Sequence, residues 1–240
     1  MQLTDFRVLT FDCYGTLIDW ESGLYAALQP LLTRAGVGLP RDAVLATFAQ
    51  HESRQEAATP AMRYSEALCE VHAQLARAWG VAPVAAESRR FGASVGDWPA
   101  FGDTVAALQY LGEHYKLVIL SNVDRASFAA TLPRLGVTFD AVFTAEDIGS
   151  YKPDPRNFAY LVEQLEGMGV ARADILHTAQ SLFHDHAPAN AAGLASAWID
   201  RRQDAQGWGA TSAPPAGVRY DFRFASMAEM VAAHRAEPSA

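Results

Sequence analysis

The chain has 240 residues, half of them apolar, enough to bury the core of one large domain or two unequal ones without staples. Its 27 acidic residues against 19 basic ones leave a net charge of −8, so it has no basic footprint for nucleic acid or an anionic membrane surface. Its two cysteines, Cys13 and Cys69, lie far apart, no apolar run reaches about 18 residues and no leader pattern opens the chain, so the expectation is a cytoplasmic protein with reduced thiols.

Phe6 to Asp12 is a short apolar run that suits a strand buried on both faces, closed by the turn at Gly15. From Trp20 to about Gly96 the pattern becomes helical, with no convincing strand. Leu45 to Arg54 and Tyr64 to Trp79 are its clearest helices, broken around Pro60. Strand-like runs then recur at Lys116 to Leu120, Ala141 to Thr144, Ile175 to Thr178 and Ser196 to Ile199. Helical stretches such as Asp103 to Glu113 and Asn157 to Leu165 separate them. The tail has a turn-rich stretch, Gly207 to Gly217, an edge strand at Tyr220 to Ala225 and a closing helix. Alternating strands and helices predict an α/β fold: a doubly wound, Rossmann-like parallel sheet as core, residues 1–19 and 97–240, with an inserted helical cap, residues 20–96.

Asp12 closes the first strand, so its carboxylate emerges at the carboxyl end of a parallel sheet, where open α/β sheets bind ligands. Alone, it reads equally well as the cap of the following turn. Other polar residues follow later strands: Ser121-Asn122, Lys152 within Tyr151-Lys152-Pro153-Asp154-Pro155, and Asp185. A carboxylate nucleophile needs a nearby cation to keep it ionised, which Lys152 supplies, and donors to orient it or hold substrate, which Ser121 and Asn122 supply.

In their order, Asp12-Cys13-Tyr14-Gly15-Thr16-Leu17, Ser121-Asn122, Lys152-Pro153-Asp154-Pro155 and Asp185 resemble the motifs of the haloacid dehalogenase superfamily over nearly the whole chain. Phosphatases of that superfamily carry a second aspartate two residues after the nucleophile, where this chain has Tyr14, a poor acid and no anionic metal ligand at neutral pH. The Asp-x-Tyr-Gly-Thr-Leu form resembles the 2-haloacid dehalogenase branch. That resemblance implies a hydrolase in which Asp12 displaces halide from C2 of a small organic acid, Lys152 supports the carboxylate charge, and Asp185 with a water cleaves the aspartyl ester. It assigns Tyr14, Ser121, Asn122 and a cap arginine to substrate binding, and it implies no cofactor.

The chain departs from that branch at several positions. The water-holding Ser-x-Asn becomes Gln180-Ser181-Leu182, a ring hydroxyl is lost at Phe158, and the cap arginine aligns with Ala49, leaving Arg54 and Arg63 as the nearest replacements. His184 and His186 flank Asp185 without an evident third metal ligand and read as aids to Asp185 or as structural residues. Two alternatives therefore stay open: a Mg²⁺-dependent phosphatase using Asp12 and Asp185, and a catalytically reduced protein that binds a metabolite. A homodimer is compatible with an apolar cap surface.

Overall fold

The computed structural model of the chain describes residues 1–203 and 207–238. Strand β1 (Val8–Phe11) is followed by four helices in succession, α1 (Trp20–Ala35), α2 (Arg41–Ala58), α3 (Tyr64–Ala78) and α4 (Ala85–Gly92). The remaining order is α5 (Thr104–Leu111), β2 (Lys116–Ser121), α6 (Arg125–Thr131), β3 (Ala141–Thr144), α7 (Ala145–Ile148), α8 (Pro155–Gly167), β4 (Ile175–Ala179), α9 (Ala187–Ala191), β5 (Ala195–Ile199), β6 (Phe222–Phe224) and α10 (Met227–Ala236).

The six strands form one sheet in the order β3-β2-β1-β4-β5-β6, with every neighbouring pair parallel. This is the doubly wound α/β fold that the alternation predicts. All four residues of β1 are buried, as a central parallel strand covered on both faces requires. The chain runs outward from β1 through β2 to β3, then returns to β4 on the other side of β1. The carboxyl ends of β1 and β4 therefore flank the point where the winding reverses, which is where such sheets open a crevice.

The predicted strands are present: β1 and β6 are shorter than their apolar runs, which extend beyond the hydrogen-bonded ladder, β3 has the predicted bounds, and β2, β4 and β5 each run one residue longer. The helices run longer where polar residues continue a turn that apolar spacing alone does not mark: Leu45 to Arg54 lies inside the longer α2. Several helices start on side-chain caps. Asp19 accepts from Ser22 N, Asp124 from Ser127 N, and Asp154 from Arg156 N with Pro155 at the first helical position. No helix among the described residues is long and apolar enough to cross a membrane.

The segment holding α1 to α4 leaves and rejoins the sheet side by side. Asp19 N donates to Pro99 O at 2.8 Å, and Phe101 N donates to Leu17 O at 3.1 Å. Its apolar faces share one continuous core with the sheet, in which Leu24, Leu28, Phe48, Leu68 and Phe91 join Phe11, Cys13 and Leu17. Burying each such side chain contributes roughly 1.5–3 kcal/mol, so apolar packing, rather than ion pairs, holds the segment in place. Within it α3 and α4 approach closely at Gly92, where an added Cβ would overlap the Ser65 carbonyl oxygen and lie 2.6 Å from Cys69 Sγ. Backbone cannot yield there. Gly92→Ala is expected to destabilise the protein by about 1–3 kcal/mol through overpacking, read as a lower urea midpoint at unchanged slope.

Candidate active site

Two strand ends and one loop deliver charged side chains to a single point. Asp12 follows β1 directly, and its backbone N donates to Thr178 O on β4 at 3.1 Å. The chain then turns back through Gly15, whose φ of 100° favours a residue without Cβ, and both Leu17 N and Ile18 N return to Cys13 O. Cys13 itself is fully buried in the core, on the side away from the crevice that strand alternation predicts. Asp185 lies in a single π-helical turn, Leu182–His186, just beyond β4. Lys152 comes from the loop between α7 and α8.

The Lys152 ammonium, only 2% exposed as a residue, donates three hydrogen bonds: to Asp12 Oδ1 at 2.9 Å, to Asp185 Oδ1 at 2.6 Å and to Leu120 O at 3.0 Å. Its three protons are all in use. Asn122 clamps the backbone of the same lysine: its Nδ2 donates to Lys152 O at 3.0 Å and its Oδ1 accepts from Lys152 N at 2.7 Å. Asn122 thus positions Lys152, and its amide is engaged with backbone rather than turned to a ligand.

The two carboxylates on this ammonium are not equivalent. Burial pushes Asp12 above the usual carboxylate range, opposed by the charge of Lys152 and reinforced by repulsion from Asp185. Its Oδ2 accepts from the Thr16 hydroxyl at 2.7 Å. For Asp185, burial also acts upward, but Lys152 and the His177 ring outweigh it and hold this carboxyl well below the usual range. His177 Nε2 donates to Asp185 Oδ1 at 3.0 Å, with Nδ1 2.8 Å from the Thr10 hydroxyl. Asp185 Oδ2, buried with the rest of the side chain, has no hydrogen-bond partner, and neither does the buried Ser121 Oγ. Burial lowers Lys152, but the two carboxylates reverse this and raise it, so the ammonium stays charged.

A small cavity of about 60 Å³ opens over this group. The sheet ends contribute Asp12, Tyr14, Ser121, Lys152, His184 and Asp185 to its wall; the helical segment contributes Trp20, Glu52, Glu56 and Tyr64. The Tyr14 ring reaches the wall, but its hydroxyl donates to Thr131 Oγ1 at 2.8 Å, and that hydroxyl donates in turn to Ser127 O at 3.1 Å. The phenol proton is therefore directed into the core, and the ring packs edge-on against Trp98 with centroids 5.7 Å apart.

Of the residues anticipated for this site, the fold brings together Asp12, Tyr14, Ser121, Asn122, Lys152 and Asp185. It does not bring Arg54. Along α2, Glu52 and Glu56 lie one turn apart on the buried face, and Arg54, two positions from each, is exposed on the opposite side. Arg63 is also exposed and pairs with Glu146 at 3.1 Å. The substrate-binding role anticipated for Arg54 is thus corrected by helical geometry: no arginine lines the cavity among the described residues.

Phe158 is buried outside the cavity and packs edge-on against His177, with ring centroids 4.9 Å apart. The two histidines beside Asp185 diverge. His184 faces the cavity, where burial lowers it to about 4, while His186 is held in the core between Ser196 Oγ and Ala179 O, each at 2.9 Å. They do not share a ligand sphere, and the described residues hold no cluster of three metal-binding side chains.

Sequence reasoning missed His177, Thr16, Glu52, Glu56 and Tyr64. The signals were present as polar residues in apolar positions. His177 interrupts a buried strand, and the stripe Leu45, Phe48, Glu52, Glu56 keeps helical spacing while changing from apolar to acidic.

The haloacid dehalogenase-like hydrolase family model matches residues 6–194, and the chain belongs to that family. No curated protein matches it. Among solved structures, it is similar to a defluorinating L-2-haloacid dehalogenase at a TM-score of 0.79 and 20% identity, covering 98% of each chain. It is similar to the L-2-haloacid dehalogenase from Xanthobacter autotrophicus with chloropropionic acid covalently bound, at 0.77 and 18%, covering 97% of this chain and 100% of that one. It is also similar to the HAD-hydrolase YfnB from Bacillus subtilis bound to magnesium, at 0.76 and 20%, covering 96% and 99%. Likeness at this level speaks for the fold, which both kinds of site share.

Lys152→Met removes the charge that two buried carboxylates share. The expected destabilisation is about 3–5 kcal/mol at neutral pH. Loss of the ammonium raises both carboxyl pKa values in the variant, so the wild-type advantage shrinks as the pH falls and those carboxyls take up protons. Urea denaturation at pH 7.5 and pH 5 reads both effects.

Proposed function

We propose that this hydrolase acts through a covalent ester on Asp12, displacing halide from a saturated carbon of a small organic halide, as a hydrolytic dehalogenase of the family. The observation that carries the reading is the shared Lys152 ammonium, which orients Asp12 Oδ1 and Asp185 Oδ1 together and leaves Asp185 Oδ2 without a partner.

In the first step an Asp12 oxygen attacks the carbon and halide departs with the bonding electron pair. Halide leaves without a proton, which agrees with a phenol at position 14 whose proton is directed to Thr131. In the second step a water, its proton accepted by Asp185 Oδ2, attacks the ester carbonyl carbon of Asp12. The alcohol leaves, Asp12 returns to its carboxylate form, and the net change is organic halide plus water to alcohol, halide and a proton. Lys152 supports the negative charge on the ester oxygen as it develops. Ser121 Oγ, buried and unpartnered at the wall, is the available hydroxyl for a substrate polar atom.

A divalent cation fits this donor set poorly. The space between Asp12 and Asp185 is filled by the Lys152 ammonium, and the residue two positions after Asp12 offers a core-bound phenol in place of a third carboxylate. The Mg²⁺-dependent phosphatase reading is weaker for that reason. The helical segment, whose Glu52, Glu56 and Tyr64 complete the cavity wall, serves in this reading as the cap, and the two free thiols of the chain, Cys13 and Cys69, support a cytoplasmic setting.

In a single turnover with excess enzyme in ¹⁸O-water, the product alcohol is expected to carry unlabelled oxygen from Asp12, and the Asp12 peptide to gain ¹⁸O by mass spectrometry. Chelator should leave halide release unchanged, and Asp12→Asn should reduce it about a thousandfold or more. Label appearing in the product on the first turnover would exclude the ester. Because burial raises Asp12, kcat/KM should be full above that raised pKa and fall as the pH drops through it, since only the carboxylate is a nucleophile.

A further inference from the structure

The charge of the cavity wall bears on what the substrate carries. Four carboxyl groups line it, those of Asp12, Asp185, Glu52 and Glu56, against the single Lys152 ammonium, whose three protons are taken by Asp12, Asp185 and Leu120 O. Burial keeps His184 neutral at ordinary pH. An entering carboxylate would therefore meet no uncommitted cation among the described residues, in a small enclosed space where unpaired charge is expensive.

The side contributed by α2 has the opposite character. Glu52 accepts from the Tyr64 hydroxyl at 2.6 Å, which fixes its carboxyl. Glu56, one turn further along the same face and 9% exposed, lines the cavity and accepts no hydrogen bond from any described residue. A largely buried carboxyl at a cavity wall with no hydrogen-bond donor beside it is an acceptor for N–H donors that enter. Burial also drives both groups toward the neutral form, Glu52 to about 7 and Glu56 well above its ordinary value with Glu52 adding repulsion. A cation would oppose that upward shift by its charge, whereas a carboxylate would add to it.

We propose that Glu56, supported by Glu52 and Tyr64, is a specificity-determining residue that takes a compact organic cation, an amidinium or ammonium group on the substrate, in place of a substrate carboxylate. The proposal rests on the Asp12 reading only for which end of the substrate reacts. Specificity follows from ionisation at the site: an entering cation stabilises Glu56 and Glu52 as carboxylates and releases the proton that burial holds there, whereas an entering carboxylate meets no uncommitted cation.

Three nearly isosteric, unreactive ligands test it: acetamidinium, acetamide and acetate, titrated calorimetrically into wild type, Glu56→Gln and Glu52→Gln at pH 7.5. Wild type should bind acetamidinium at least about tenfold more tightly than acetate, which corresponds to about 1.4 kcal/mol. Glu56→Gln should collapse that ratio while changing acetamide binding by no more than about twofold. Acetate binding as tightly as acetamidinium, absence of any preference, or a ratio unchanged in Glu56→Gln would overturn the assignment. The wild-type ratio alone decides even if a variant folds poorly. Halide release from chloroacetamidinium, chloroacetamide and chloroacetate is then measured in parallel. No release from any of the three, with acetamidinium still preferred in binding, would reject the Asp12 displacement and leave the cation site standing; release with chloroacetate as best substrate would do the reverse.

Discussion

The ammonium of Lys152 is shared by two carboxylates in a place that water scarcely reaches, and the rest of the site is arranged around keeping it satisfied. A buried lysine is tolerated only if each of its protons finds an acceptor and its charge is matched nearby. Asp12, Asp185 and the Leu120 carbonyl meet both conditions from three different strand ends. Asn122 then holds the lysine backbone on both sides of its peptide unit, so the loop that carries the charge is tied to the end of β2. Disturbing any one of these contacts leaves an unpaired charge or an unpaired donor behind, so the site behaves as one cooperative network.

Within that network two chemically identical groups acquire different proton affinities through their surroundings. Asp12, slightly open to the cavity and bound by Lys152 and one hydroxyl, is pushed upward, while Asp185, enclosed and bound by both Lys152 and His177, is pulled downward. Separating the titration of paired carboxyls lets the same functional group occur in one site with two different proton affinities. The π-helical turn that carries Asp185 is what aims it, and His177, reaching across from β4 with Thr10 behind it, keeps it there.

The wall supplied by α2 carries carboxyl groups where an arginine was anticipated. The same buried helical face that packs Leu45 and Phe48 into the core continues as Glu52 and Glu56 over the cavity. The arginines that sequence proximity offered, Arg54 and Arg63, point to solvent or to Glu146. The sheet end and the covering helices therefore line the cavity with different chemistry: the first with the Lys152-centred ion network, the second with Glu52, Glu56 and aromatic rings.

Much of this was legible in the sequence alone. Apolar runs of strand length alternating with helical spacing determine a parallel doubly wound sheet, because each buried strand needs helices on both faces. The strand-end positions of Asp12 and Ser121, with Lys152 and Asp185 following at loops, are likewise local consequences of where the apolar runs stop. What only the tertiary structure decided concerns direction and pairing. The phenol of Tyr14 turns into the core because Thr131, remote in sequence, accepts its proton. Asn122 positions a lysine instead of facing a ligand because the loop carrying Lys152 returns beside it. His177, a polar residue in a buried strand, becomes the partner of Asp185 only when the π-helical turn folds back, and Glu52 and Glu56 become cavity walls only when α2 is laid over the sheet end. Periodicity along a chain encodes which face of an element is buried, but the identity of the atoms opposite that face is set by contacts between distant segments, and those exist only in the folded chain.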